Sequence, residues 1–240
     1  KYLTAFSVFS VVAGVTLPAN AISLGNGFND ISSSVSDIRE GSNESDTQIF
    51  FFEEKTNHVL GSDVTVDASP PDDIGKVLQA LEGTEATISS GETVNSYYFQ
   101  FDDLAQSNSA QAGSDSPNGD VGDFTATFDG KILGLIYEGN NGSESASLEN
   151  SNNELGLSSV DYPDEDANGN FLGIEGNGTD QVEFKDQNTV VFQSITSGGN
   201  NTDDVRIVTQ SQAVPFEAEG TMGLVALGGF FGYRHLKNRK

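Results

Sequence analysis

Short runs of β-branched and aromatic residues, separated by Gly, Asn, Asp and Ser, recur through the middle of this 240-residue chain. Thr47 to Glu53 is a compact aromatic and aliphatic run, Asp63 to Asp67 places Val64 and Val66 on one face, and Tyr97, Phe99 and Phe101 alternate in the same way. Period-two spacing over four to eight residues is the mark of a strand with one face buried. Phe124, Ala126 and Phe128 lead into Asp129-Gly130, and Ile132 to Tyr137 follows, so the spacing predicts a hairpin turning at Asp-Gly. Gln181 to Lys185, Thr189 to Ile195 and Asp204 to Thr209, with polar turns between them, predict a closing meander. Together these runs predict an all-β body, a single antiparallel β-sandwich of jelly-roll type. One helix is expected, from Asp72 to Leu81, with Asp72 as cap and Ile74, Val77, Leu78 and Leu81 as its apolar stripe. Residues 105–123 and 139–153 read as exposed loops, and no internal repeat is visible.

Charge and cysteine usage narrow the function. All 36 acids lie between residues 22 and 219, with only Arg39, Lys55, Lys76, Lys131, Lys185 and Arg206 against them, a formal charge of −30. Such a surface repels nucleic acid and anionic lipid and attracts divalent cations and basic partners. The absence of cysteine excludes disulfides, thiol catalysis and thiolate metal sites.

The two ends read as addresses. Lys1 precedes an apolar run from Leu3 to Val15, and Leu17-Pro18-Ala19-Asn20-Ala21 follows with small residues at Ala19 and Ala21. That order is the pattern of a secretory signal peptide cut after Ala21. At the other end Pro215-Phe216-Glu217 precedes an uncharged apolar run, Thr221 to Tyr233, and then Arg234, His235, Lys237, Arg239 and Lys240. Thirteen uncharged residues make a short span, extended by Ala218 and Gly220 and by snorkelling of the basic side chains. The basic cluster should stay cytoplasmic, which places the preceding residues outside. The expected organisation is a signal peptide at 1–21, a loose leader or edge strand at 22–46, and the β-sandwich at 47–209. A spacer at 210–219 and a short C-terminal transmembrane sorting helix with its basic tail at 220–240 complete it.

Val214-Pro215-Phe216-Glu217, with Gly223-Leu224, Leu227-Gly228 and the basic cluster, resembles a PEP-CTERM sorting signal in the PFE variant common in cyanobacteria. Phe216 and Glu217 stand where the commoner form carries Glu and Pro. The segments Val94 to Asp102, Phe128 to Ile136 and Asp204 to Thr209 are similar to the exported bodies that precede such tails. The resemblance implies an exosortase, a membrane transpeptidase or protease, as processing partner, acting on a tail transiently inserted in the inner membrane. It also implies a cell-surface or extracellular destination.

One loop carries a sharper chemical pattern. Asp164-Glu165-Asp166-Ala167-Asn168-Gly169-Asn170-Phe171-Leu172-Gly173-Ile174-Glu175 follows the calcium-loop spacing D-x-D-x-N-G-x5-E. Side-chain oxygens of Asp164, Asp166, Asn168 and Glu175, with the carbonyl of Asn170, would hold Ca²⁺. A second acidic loop, Asp115 to Asp120 with Asp123, has suitable atoms without a recognised spacing. No nucleophile elbow, zinc helix or phosphate-cradling loop is present, and His58 reads as a turn or surface histidine. The expected function is therefore non-catalytic: an exported surface or matrix protein associated with exopolysaccharide or biofilm. The alternative is a lectin-like carbohydrate-binding module using exposed Tyr97, Tyr98, Tyr137 and Tyr162 beside an acidic loop that would carry calcium.

Overall fold

Two long neighbouring strands, β3 (Ile49–Val59) and β7 (Thr93–Phe101), carry the densest aromatic runs of the chain and pair antiparallel with Phe51 opposite Phe99. The computed structural model describes residues 22–39, 42–43, 45, 48–70, 72–78, 84–101, 112–113, 124–137, 147–162, 181–195 and 203–212. The signal peptide with Ala19 and Ala21, the acidic loops and the sorting motif Pro215, Phe216 and Glu217 lie outside these residues. So does the calcium pattern Asp164, Asp166, Asn168, Asn170 and Glu175.

In chain order the remaining strands are β1 (Ile22–Leu24), β2 (Phe28–Asp30), β4 (Val64–Val66), β5 (Val77–Leu78) and β6 (Ala86–Ile88). They continue with β8 (Ala112–Gly113), β9 (Thr125–Phe128), β10 (Ile132–Ile136), β11 (Gln181–Phe184), β12 (Thr189–Ile195) and β13 (Asp203–Gln210). The single helix among the described residues is α1 (Ser147–Leu155). One sheet has the order β1-β9-β12-β11-β5, with β8 also on β12; a second has the order β10-β13-β7-β3-β2; β4 and β6 form a small third. The pairing is antiparallel except that β2 runs parallel to β3, a departure from the all-antiparallel expectation. The Gly, Ser and Asn-rich stretch read as a loose leader or edge strand supplies β1 at one edge of the first large sheet and β2 at one edge of the second.

Packing explains these pairings. One apolar cluster draws Phe51, Tyr97, Phe99, Phe101, Val205 and Ile207 from the second sheet and Phe128, Val182, Phe184, Val190 and Phe192 from the first. Its rings meet at centroid distances of 5.0 Å for Tyr97–Phe128 and 5.2 Å for Phe99–Phe192, separations at which aromatic pairs add to burial. The opposite face of the second sheet is buried as well. Phe52, Tyr98, Ile136 and Val208 pack there with Ile38, Leu60, Val64, Val66, Ile88, Leu148, Leu155 and Val160. Alternation along β7 is therefore not inside against outside: every residue from Val94 to Phe101 is buried.

Four expectations are corrected. The stretch 139–153, read as an exposed loop, carries most of α1. Asp129-Gly130 does not make a hairpin: β9 pairs with β1 and β12, whereas β10 pairs with β13, so the chain changes sheets at this corner. Gly130 is required by proximity, since a Cβ there would lie 2.1 Å from the backbone oxygen of Gln210. The closing meander is only half formed, because β11 and β12 pair with each other while β13 joins β7 and β10 in the other sheet. The helix expected from Asp72 is replaced by a turn and a strand. Gly75 has φ +75°, outside the helical region, Ile74 bridges to Phe184, and Val77 and Leu78 pair with β11. Buried Asp73 closes this turn by accepting from the Ser69 and Thr84 backbone N–H groups, the Thr84 hydroxyl and Lys76 Nζ.

The corner gives a direct test. Gly130→Ala must displace backbone and is expected to cost about 2–4 kcal/mol in urea unfolding. Gly61→Ala, whose added Cβ would meet only Glu154 carboxylate oxygens at an ordinary 3.6 Å, is expected to stay within about 0.5 kcal/mol. Equal stabilities for the two variants would contradict the close approach.

Candidate functional site

Arg206 sits near the middle of β13 among Val205, Ile207 and Val208, and its side chain is fully buried. A guanidinium in such a place needs a counter-charge and a partner for each of its five N–H groups. Glu54 of β3, also fully buried, supplies the charge: its Oε2 accepts from Nε and its Oε1 from Nη2, each at 2.7 Å. The first turns of α1 supply the rest. Nη1 donates to the Leu148 carbonyl at 3.1 Å and to the Ser151 hydroxyl, and Nη2 donates to Asn152 Oδ1 at 2.7 Å. All five donors are engaged.

Glu54 is equally complete. The Tyr162 hydroxyl donates to Oε1 and the Ser96 hydroxyl to Oε2, both at 2.6 Å, so the carboxylate accepts four hydrogen bonds. Tyr162 in turn accepts from the Leu157 backbone N–H at 2.9 Å. The guanidinium carbon lies 5.1 Å from the Tyr98 ring centre and 5.5 Å from that of Tyr162, within cation–π range. Burial works against the Arg206 charge, but the Glu54 carboxylate outweighs it and raises the arginine's proton affinity. Burial and then the Glu54 charge push the Tyr162 phenol far above its usual range. The Tyr98 phenol moves the same way, through burial first and the Asp204 charge second. The cluster is thus a charged, fully hydrogen-bonded tie between β3, β13, α1 and the turn after α1. Its donors and acceptors are spent on the chain itself.

A second polar cluster lies at the rim, where α1 meets the stretch between β3 and β4. Glu154 Oε1 accepts from the Gly61 N–H at 2.6 Å and is 3.0 Å from His58 Nε2, while Oε2 accepts from the Ser62 hydroxyl at 3.2 Å. The Gly61 hydrogen bond is the main reason the Glu154 carboxyl is held below its ordinary 4.5; burial opposes it and His58 adds to it. His58 is thus a partly exposed histidine with a helix carboxylate as partner, rather than a plain turn residue.

Sequence reasoning overlooked Arg206 and Glu54. The available signal was one of only six basic residues in 22–219 placed inside an otherwise β-branched run, and an acid directly following Phe50-Phe51-Phe52-Glu53. The four tyrosines expected to present a sugar platform are interior. Tyr97, Tyr98 and Tyr137 are buried, Tyr162 is half-buried with its hydroxyl on Glu54, and burial followed by the Glu53 charge pushes the Tyr97 phenol up to about 12. Among the described residues no group of three or more His, Asp or Glu side chains is placed to hold a metal.

Tyr162→Phe keeps the ring and removes the hydroxyl, leaving Glu54 and the Leu157 N–H each short of a partner. Urea unfolding is expected to show a loss of about 1–3 kcal/mol, and an unchanged midpoint would contradict the network. Comparison with family models, curated proteins and solved structures returned no match, so the reading of this site rests on its own geometry.

Proposed function

We propose that this is an exported, non-catalytic cell-surface or extracellular-matrix protein, sorted by an exosortase and associated with exopolysaccharide or biofilm material. The observation that carries the reading is the arrangement along the chain. A leader ending in Ala19-Asn20-Ala21 and a tail of Pro215-Phe216-Glu217, an apolar run and a basic cluster flank a cysteine-free acidic body. Every acid but Glu217 and Glu219 lies between the two end segments, as suits a body delivered outside while the basic tail is retained or removed. The character of the body supports the reading. It is mostly β, and its most deeply buried charges are spent on holding the chain together. We read the two large sheets as the layers of a jelly-roll-like sandwich, supported by the one apolar cluster to which both contribute. The lectin-like alternative has no support from its tyrosines, since Tyr97, Tyr98 and Tyr137 are buried and the Tyr162 hydroxyl is spent on Glu54.

Removing residues 215–240 and fractionating the cells tests the sorting claim. The truncated protein is expected to leave the surface fraction, and unchanged surface retention would contradict the proposal. We also propose that the Asp164 to Glu175 loop takes calcium through oxygen ligands alone. Calorimetry should then show a melting temperature at least about 3 °C higher in excess calcium than in EGTA. Loss of that shift in Asp164→Ala is expected, and a variant that responds like the parent would rule the loop out.

A further inference from the structure

Helix α1 covers the buried Arg206–Glu54 pair, yet few apolar side chains hold it down: Leu148, Leu155 and, just beyond the helix, Val160. The remaining ties are polar, and they differ in how they respond to pH. A guanidinium stays charged throughout the accessible range, and the Tyr162 phenol is pushed well clear of neutrality, so the inner ties are indifferent to pH between about 5 and 8. The rim tie is different in kind. Glu154 lies in the last turn of α1, where the helix dipole disfavours an acid, and the helix places no basic residue of its own in that turn. The cation that can offset this comes from β3: His58, 3.0 Å from the carboxylate and partly open to solvent, with 31 % of its side chain exposed.

We propose that the His58–Glu154 contact is a pH-responsive latch on α1, tightened when the imidazole is protonated and slackened when it is neutral. Imidazole is the side chain that changes charge between pH 5 and 8. A charge-assisted hydrogen bond is roughly twice as strong as a neutral one. Glu154 is held ionised by Gly61, Ser62 and His58 together, so the carboxylate is ready throughout that interval. The other charged groups on the surrounding elements are Glu53, Glu54 and Lys55 on β3, Asp63 before β4, Glu92 before β7, Glu149 on α1, Asp161 after α1, and Asp203, Asp204 and Arg206 on β13. Of these, Glu54 and Arg206 are committed to each other. The latch therefore ties an external acidity signal to how firmly the helix covers the buried pair. Local opening of α1 is the motion it governs.

Amide hydrogen exchange of the full chain, followed through peptides covering 148–155 and corrected for the intrinsic pH dependence of exchange, reads this directly. Protection is expected to be about two- to fivefold higher at pH 5.5 than at pH 8. High salt should erode that gain at pH 5.5 and leave pH 8 unchanged. His58→Gln and Glu154→Gln keep hydrogen-bonding capacity without the charge pair, and each is expected to remove the pH step. Equal protection at the two pH values in the parent, a gain indifferent to salt, or a step that persists in either variant would overturn the proposal.

Discussion

The buried pair of Glu54 and Arg206 sets the terms for everything packed on the outer face of the second large sheet. Two residues 152 positions apart must meet inside the protein, and each is fully buried when they do. Bringing either charge out of water costs several kcal/mol, which the attraction between them offsets only when the remaining lone pairs and protons also find partners. Here they do, and the partners come from β7, α1 and Tyr162. The helix is therefore more than a lid over apolar side chains, because its Leu148 carbonyl, Ser151 hydroxyl and Asn152 amide complete a charge that would otherwise be poorly solvated.

This explains how the second sheet can be buried on both faces. Its inner residues, Phe51, Tyr97, Phe99 and Phe101, join side chains of the first sheet, while Phe52, Tyr98 and Val208 on its other face lie under α1 and the segments around Ile38 and Val160. A purely apolar outer layer would pack α1 without fixing its register along the sheet. A guanidinium with five directed donors specifies which carbonyl, hydroxyl and amide must lie above it. The rings of Tyr98 and Tyr162 on the guanidinium restrict its plane further.

The strands were legible where local pattern and burial agree. Val64 and Val66 point inward as their alternation predicts, and the runs around Phe50 to Glu53, Tyr97 to Phe101, Gln181 to Phe184 and Thr189 to Ile195 fall in strands, the first two of which extend further, to Val59 and back to Thr93. Connectivity was less legible, because Asp-Gly favours a hairpin only when both flanking runs join one sheet, and at Gly130 they join two. The helix was misplaced for a related reason. Ile74, Val77 and Leu78 have helical spacing, but Gly75 and the pairing with Phe184 and Val182 draw them into a turn and an edge strand. The real helix, Ser-Leu-Glu-Asn-Ser-Asn-Asn-Glu-Leu, has few strong helix formers and two apolar anchors, so its stability comes from tertiary contacts that no local window contains. The Arg206–Glu54 pairing was invisible for the same reason: no spacing rule links positions 54 and 206. The residue patterns behind the proposed sorting signal and calcium loop lie outside the described residues.

A double-mutant cycle between Glu54 and Arg206 in urea unfolding tests this account most directly, using Glu54→Gln, Arg206→Met and the combined variant. If the pair is the tie described, each single change strands its partner and costs about 3–5 kcal/mol. The combined variant is then expected to be more stable than the sum of the two losses predicts, by about 2 kcal/mol or more. Losses that simply add would show that the two side chains stabilise the protein independently, and would contradict the central role given to their contact.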